Sequence, residues 1–295
     1  MKIKRFAFKN FFAGFRVALS VFCFLFISAM CYAQQRQDGN ITVLRSIFKL
    51  RLNADYKFMF YDERESSSLF QTTRPLDLGI GFSILNFTIG ASFSIPFQHP
   101  QESKNAFSLD LNFNNYWADN SYTYGYIKYN SDFYSGNNDI DLTILNMGIS
   151  QEFILNKNHS IRSAYILDRK QSASNGSFLV GGGIFYTSIR SESADEDNKQ
   201  KFFYFGPNFG YSFNWIIGEN FFINLLSVFG AELMVNKGEL SFGLMALPKM
   251  SIGYHGRTWS ANIYINYSNL LVYPGKDMEF SLISGNIGAT FVKRF

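Results

Sequence analysis

The chain has 295 residues, 18% aromatic and 17% charged, with a formal net charge of +4 and a mean hydropathy of −0.05. The charged fraction lies below the roughly 25% of a typical soluble protein, yet the hydropathy is too low for a bundle of apolar spanning helices. Six prolines and the absence of a polar tract exclude an extended disordered chain.

The N-terminus carries Lys2, Lys4, Arg5, Lys9 and Arg16 with no acid, then the apolar run Val17–Met30, then Cys31-Tyr32-Ala33. The run is too short to span a bilayer comfortably, and small residues stand at the −3 and −1 positions of a signal-peptidase site. Residues 1–33 are therefore expected to be a cleaved signal peptide for the general secretory pathway, and residues 34–295 the mature domain. A lipidated Cys31 is a rival, but Met30 is too large to precede a lipobox cysteine. An uncleaved anchor is disfavoured by the shortness of the run. Five of the 27 basic residues lie in this segment, so the remainder carries 22 against 23 acids, a net charge of −1. No basic surplus remains for nucleic acid. Both cysteines, Cys23 and Cys31, fall in the leader, which removes disulfides and thiolate metal sites from the mature chain.

Period two then dominates. From Phe48 to Phe60 every second residue is apolar, with Lys49, Arg51, Asn53, Asp55 and Lys57 on the opposite face. Thirteen alternating residues exceed an ordinary strand of about 5–6 and suit a tilted membrane strand of about 9–11 with an overhang. Similar segments give thirteen candidate strands, at 43–60, 74–85, 87–97, 106–117, 121–130, 139–153, 160–169, 177–190, 201–215, 220–235, 241–254, 258–272 and 278–295. The polar faces are mostly Gly, Ser, Asn and Thr, which suits an enclosed lumen better than the Lys- and Glu-rich outer face of a soluble sandwich. Tyr56, Tyr61, Tyr116, Trp117, Tyr211 and Trp215 gather near strand ends, as interfacial girdles do.

The expected fold is all-β: a transmembrane antiparallel up-and-down β-barrel of about twelve strands in a Gram-negative outer membrane. Even counts are the rule for single-chain bacterial barrels, so one candidate must go. Residues 121–130 are tyrosine-rich on both faces and are the weakest. Dropping them makes 118–138 a periplasmic or re-entrant excursion. Asn86, Ile216–Glu219 and His255–Arg257 then become short periplasmic turns, and Tyr61–Thr73, Gln98–Asn105 and Ser191–Gln200 outer loops. A terminal aromatic, Phe295, on an alternating strand resembles the signal read by the barrel assembly machinery.

The stretch SIRSAYILDRKQSASNGSFLVG, from Ser160 to Gly181, resembles the outer-membrane barrel family catalogued as domain of unknown function 4421. The matching positions are Ser160, Arg162, Ala164, Tyr165, Gln171, Ser174, Gly176, Ser177, Phe178 and Leu179. Pro207–Tyr211 followed by Asn220–Ile223 looks like the family's next hairpin, whereas Asp139-Ile140-Asp141 lacks the Arg-Pro that precedes the corresponding family element. The resemblance implies location and architecture and no activity.

On this register the lumen receives Lys49, Arg51, Asp55, Lys57, Asp77, Asp110, Asp141, Arg162 and Arg169. Mixed signs favour a paired, hydrogen-bonded filling over a field that selects ions. His99, His159 and His255 fall in loops or turns. His159 and Ser160 are adjacent and would point to opposite faces of a strand, so they form no local dyad. The Gly181–Gly183 run sits within an alternating strand, not a phosphate loop. Asp195-Glu196-Asp197 reads as a solvated loop rather than a cation site. No cofactor, metal site or catalytic residue is expected. The expected partners are outer-membrane lipid, lipopolysaccharide and the assembly machinery. An integral barrel with a largely filled lumen is the leading reading. A narrow diffusion channel and a lipid-modifying enzyme are the alternatives.

Overall fold

The computed structural model describes residues 40–44, 46–63, 66–72, 75–84, 87–95, 107–115, 121–135, 140–192, 197–236, 239–273 and 280–295. The leader, His99, Tyr116, Trp117, Asp195 and Glu196 lie outside the described residues, as do the Asn86 turn and the Gln98–Asn105 loop.

Fifteen strands and one helix are formed among the described residues, in the order β1 (Ile41–Val43), β2 (Phe48–Glu63), β3 (Ser66–Thr72), β4 (Leu76–Ile84), β5 (Phe87–Ile95), β6 (Phe107–Asn115), β7 (Ser121–Ser135), β8 (Ile140–Ile154), α1 (Ile161–Tyr165), β9 (Arg169–Gln171), β10 (Asn175–Glu192), β11 (Asp197–Ile217), β12 (Phe221–Asn236), β13 (Glu239–His255), β14 (Trp259–Tyr273) and β15 (Phe280–Arg294). Every strand pairing is antiparallel between chain neighbours around the ring, and β15 closes on β2 with Ala289 opposite Ala54. β3 folds back on the distal end of β2 and touches β7 over two residue pairs. Twelve strands therefore complete the circuit. A closed circuit leaves no unpaired edge, the condition for a backbone surrounded by hydrocarbon.

Alternation divides the wall into two faces. Leu52, Leu78, Ile80, Phe209, Leu225, Ile263 and Ile287 point outward, each more than 40% exposed. Outward aromatics crowd the end where the chain termini lie: Phe178 packs edge-on against Tyr211 at 5.0 Å, Phe221 against Tyr254 at 4.9 Å, and Trp259 lies 5.2 Å from Tyr254. Phe295 meets Phe48 at 6.1 Å in the same belt, and its backbone N–H donates to the Phe48 carbonyl. Such a continuous apolar surface is foreign to soluble monomers.

Two expectations fail together. Residues 121–135 are not an excursion but the barrel strand β7, paired with β6 on one side and β8 on the other. Tyr122, Tyr124 and Tyr126 all share the inward face, whereas Gly125 and Ile127 face out, so the segment alternates by face after all. Residues 160–169, read as a strand, instead leave the wall and enter the lumen. Ile161 and Ala164 stand one helical turn apart, and both are buried. Ile161 packs with Ile154, Leu179, Leu226 and Val228, and Ala164 with Leu167, Phe222 and Val292. Twelve is the right number reached by removing the wrong segment. Most of Ser191–Gln200 is strand as well, belonging to β10 and β11 rather than to a long loop, and Tyr61–Thr73 is largely a β2–β3 hairpin.

Candidate functional site: an internal plug

The connection between β8 and β10 folds into the terminal end of the barrel. It begins with an anchored turn. The Asn156 backbone N–H donates to Ser177 Oγ (2.9 Å), and its side-chain amide donates to the Asn175 side-chain oxygen and the Gly176 carbonyl. His159, fully buried, directs Nδ1 at the Asn175 carbonyl at 3.1 Å. Only an N–H can serve that carbonyl, so in the neutral ring Nδ1 carries the proton and Nε2 is an acceptor with no hydrogen-bond partner among the described residues. Burial accordingly pushes the imidazole down to about 4.

Helix α1 follows, and Leu167 ends it at φ 61, a left-handed conformation usually left to glycine. Its N–H closes on the Arg162 carbonyl at 2.7 Å, and its side chain is wholly buried. Next, β9 pairs with β1, matching Ile41 to Gln171 and Val43 to Arg169. Leu44 N–H donates to the Asp168 carbonyl and Ser172 N–H to the Asn40 carbonyl. The segment ahead of the first barrel strand is thus woven into the plug.

The wall holds this insert through side chains from five strands. Arg51 donates through Nη2 to the carbonyls of Tyr165 (2.8 Å) and Ile166 (2.7 Å), at the C-terminal end of α1. Asn214 gives its amide to the Ser160 carbonyl, Ser163 Oγ and Gln171 Oε1 at 2.8–2.9 Å. Ser251 and Asn262 donate to the Ala164 carbonyl. Arg294 donates to the Leu167, Gly256 and Trp259 carbonyls and to Ser260 Oγ.

Charge is concentrated here. Lys49, Arg162, Arg169 and Arg294 are each at most 6% exposed, and the one carboxylate among them, Asp168, is 1% exposed. Arg162 grips Asp168 bidentately, through Nε to Oδ1 at 3.0 Å and through Nη2 to Oδ2, and Lys49 stands 3.9 Å from Oδ2. Burial alone would raise the Asp168 carboxyl. The charge and hydrogen bonds of Arg162, with Lys49 and Arg169 behind, override it and hold the group down at about 2. Backbone carbonyls supply the rest of the compensation for the cations.

The expected lumenal residues sort into two places. Lys49 and Arg51 reach in from β2, whereas Arg162 and Arg169 ride on the plug rather than on wall strands. Asp55 lies farther from the termini and accepts from Tyr264 Oη and the Asn286 amide, both at 2.5 Å. Asp110 pairs with Lys128 at 3.4 Å, and Lys57 with Asp77 at 3.0 Å. The side chain of Asp141 lies outside the described residues. The family-like positions converge on the plug. Gln171 accepts from Ser160 N–H at 3.0 Å and donates to the Ala173 carbonyl, Ser174 Oγ accepts from Ile216 N–H, and Ser177 Oγ accepts from Asn156 N–H. Gly176 lies under the Tyr211 hydroxyl, which a Cβ would strike. The partners that sequence reasoning missed are Asn214, Asn262, Ser251 and Arg294. Their one visible signal was an amide, hydroxyl or cation on the inward register.

A Ser–His contact does exist: His255 Nδ1 lies 3.1 Å from Ser260 Oγ. Ser260 is fully buried and His255 4% exposed, and Arg294 donates to the same oxygen. The serine oxygen is thus already engaged by Arg294.

The molecule is thus a closed, twelve-stranded antiparallel barrel with an internal plug at its terminal end. The sequence profile of the family described as "Domain of unknown function (DUF4421)" matches residues 32–295, and the chain belongs to that family. No curated protein matches the chain. Among solved structures, the translocator domain of the autotransporter NalP from Neisseria meningitidis is similar at 15% identity, covering 85% of this chain and 90% of its own, with a TM-score of 0.46. Outer-membrane expressed OmpT of Vibrio cholerae is similar at 9% identity, covering 88% of this chain and 99% of its own, with a TM-score of 0.35. Neisserial surface protein A is similar at 9% identity, covering 85% and 99% respectively, with a TM-score of 0.31.

Proposed function

We propose that the chain is an integral outer-membrane β-barrel whose lumen is sealed at the periplasmic end, with neither a through-channel nor turnover. Residues 1–33 act as the export signal and residues 34–295 form the barrel domain, which meets lipid and lipopolysaccharide on its outer wall. Support for the membrane reading comes from the apolar outward face, the aromatic belt at the terminal end and the sequence of the leader. Support for a sealed lumen comes from one observation above others: five strands direct side chains onto the plug, and the inward residues around it, among them Asn214, Asn224, Ser251 and Ser260, are completely buried. Pinning on that scale leaves no water-filled path along the plug.

The test is conductance of the folded protein in a planar bilayer. A flat trace is expected. Replacing residues 157–172 with a short Gly-Ser linker should yield discrete current steps, which shows that the assay sees an opened barrel. Steps of similar size from the unaltered protein would overturn the sealed reading.

A further inference from the structure

Above the plug the lumen changes character. On β2, β7, β8, β13 and β15 the inward residues farther from the termini are half-buried, among them Asp55, Tyr124, Tyr126, Asn146, Lys249 and Asn286, whereas those of β10–β12, such as Thr187, Tyr204 and Met234, stay buried. The Lys128 side chain is 52% exposed although it points inward. Solvent therefore reaches a cup whose floor is the plug. One wall is aromatic: the half-buried Tyr122, Tyr124 and Tyr126 follow one another at centroid spacings of 5.5–6.3 Å, backed by a buried cluster of Phe185, Ile189, Phe202, Tyr204 and Met234. The facing wall offers amides and carboxylates, with Asn266 bonded to Asn286 and Asn286 to Asp55.

Two observations point to a ligand. The first is a set of buried acceptors without donors. Glu152 receives the Asn208 amide on Oε1 at 2.9 Å, but its Oε2, Asn208 Oδ1 and Glu232 Oε2 have no hydrogen-bond partner among the described residues. Glu152 is 7% exposed and Glu232 2%. Glu152 Oε2 and Asn208 Oδ1 converge above Gly181, 2.5 and 2.9 Å from where a Cβ would stand, so glycine is needed there. Buried oxygens of this kind call for a proton donor, and carboxylates most favourably for a cationic one. The second is that the tyrosine faces already hold ammonium groups. Lys128 Nζ lies 5.7 Å from the Tyr126 centroid and Lys249 Nζ 5.9 Å from that of Tyr124. Lys128 retains Asp110 as a partner if displaced.

Resting on the reading that the plug closes the other end, we propose that this cup is a binding site for an amine-bearing saccharide. The C–H faces of the sugar rings lie against Tyr124 and Tyr126, the ammonium groups reach Glu152 and Glu232, and the hydroxyls meet the amide wall. Among the described residues the charged groups of the cup are Asp55, Lys57, Asp77, Asp110, Lys128, Lys249, Glu152 and Glu232; Lys57–Asp77 and Lys128–Asp110 are paired among themselves. The described groups left over, Asp55, Glu152, Glu232 and Lys249, are mainly acidic, which opposes a uronate.

The experiment is calorimetric titration of the detergent-folded protein with four probes: the glucosamine hexamer, the N-acetylglucosamine hexamer, the galacturonate hexamer and spermine. Saturable binding of the glucosamine hexamer is expected, stronger than that of the other three. Glu232→Gln and Glu152→Gln, nearly isosteric changes, should each weaken it about tenfold, the loss of roughly one charge-assisted hydrogen bond, with heat-modifiability on gels unchanged. Absence of glucosamine binding, tighter galacturonate binding, spermine binding of equal strength, or indifference to both Gln variants would each overturn the proposal. Conductance of the same preparation keeps the two readings apart. Current steps with retained binding defeat only the sealed lumen, and a flat trace without binding defeats only the saccharide cup.

Discussion

Asp168→Ala should be the most damaging single substitution in the plug. The carboxylate stands among Lys49, Arg162, Arg169 and Arg294, so the buried cluster carries a net charge of +3, and the substitution raises it to +4. Removing one partner of a buried ion pair costs about 3–5 kcal/mol, because the other charge is left uncompensated. At about 2–4 °C per kcal/mol for a domain of this size, the melting temperature should fall by roughly 10 °C. Arg162→Ala moves the cluster to +2 and leaves Lys49 beside Asp168, so its cost should be smaller, about 2 kcal/mol. It should open no pore, since Asn214, Asn262 and Arg294 still hold the insert. Arg162→Met with Asp168→Leu restores +3, and the double variant should be more stable than Asp168→Ala alone. Differential scanning fluorimetry of the detergent-folded barrel, with unboiled gel mobility as a check on closure, reads all three. A melting temperature for Asp168→Ala within about 2 °C of the parent would refute the claim that one carboxylate holds the cluster.

The same plug sets a two-stage response to acid. The His159 value is depressed to about 4 from an ordinary 6.5, so its neutral form is the stable one in the fold, and stability should fall as pH drops from about 6.5 to 4. Asp168 is depressed to about 2 from 3.8, so a further loss, on the order of 2 kcal/mol, should follow only as pH falls from about 3.8 to 2. Melting profiles against pH should show both stages, and His159→Asn should diminish the first without erasing it, because His255 is a second buried imidazole beside the plug. Leu167→Gly relieves a left-handed backbone worth roughly 1 kcal/mol but empties a fully buried site worth about 2–5, so a net loss of stability is expected. A melting temperature equal to or above that of the parent would show that backbone strain outweighs packing there. Phe295→Ser should lower the yield of folded barrel in cells while leaving the melting temperature of protein refolded in detergent nearly unchanged, because Phe295 is 67% exposed. Equal cellular yields would remove the assembly-signal role.

The wall was legible because its periodicity is long and its faces differ. Phe48 to Phe60 could be assigned inward and outward residue by residue, and over the described side chains β2 keeps that assignment, with Lys49 buried and Leu52 and Tyr56 exposed. Tyrosine defeated the same reasoning in β7. It is amphipathic, so alternation of Tyr with Gly or Ile does not announce which face is polar. Two of the three inward rings direct their hydroxyls at lumenal amides: Tyr122 donates to Asn114 and Tyr126 to Asn146.

The plug was illegible for a more general reason. From Ser160 to Arg169 the residues keep no period of two, with Ala164–Leu167 a continuous run flanked by the polar pairs Arg162-Ser163 and Asp168-Arg169, because the segment is enclosed on all sides and has no solvent face to encode. Its apolar residues answer to Leu179 and Phe222 on the wall, and its polar atoms to Asn214 and Arg294, partners that lie far away in sequence. A short motif can therefore look like a strand start and still be the centre of an insert. Arg162, Gln171, Ser174 and Ser177 make sense only as a group, since each holds a different point of one loop that β8 and β10 present to the lumen. The parity of the wall then follows. A plug segment counted as a strand must displace a true one, and the tyrosine-rich β7 was the one whose pattern resisted least.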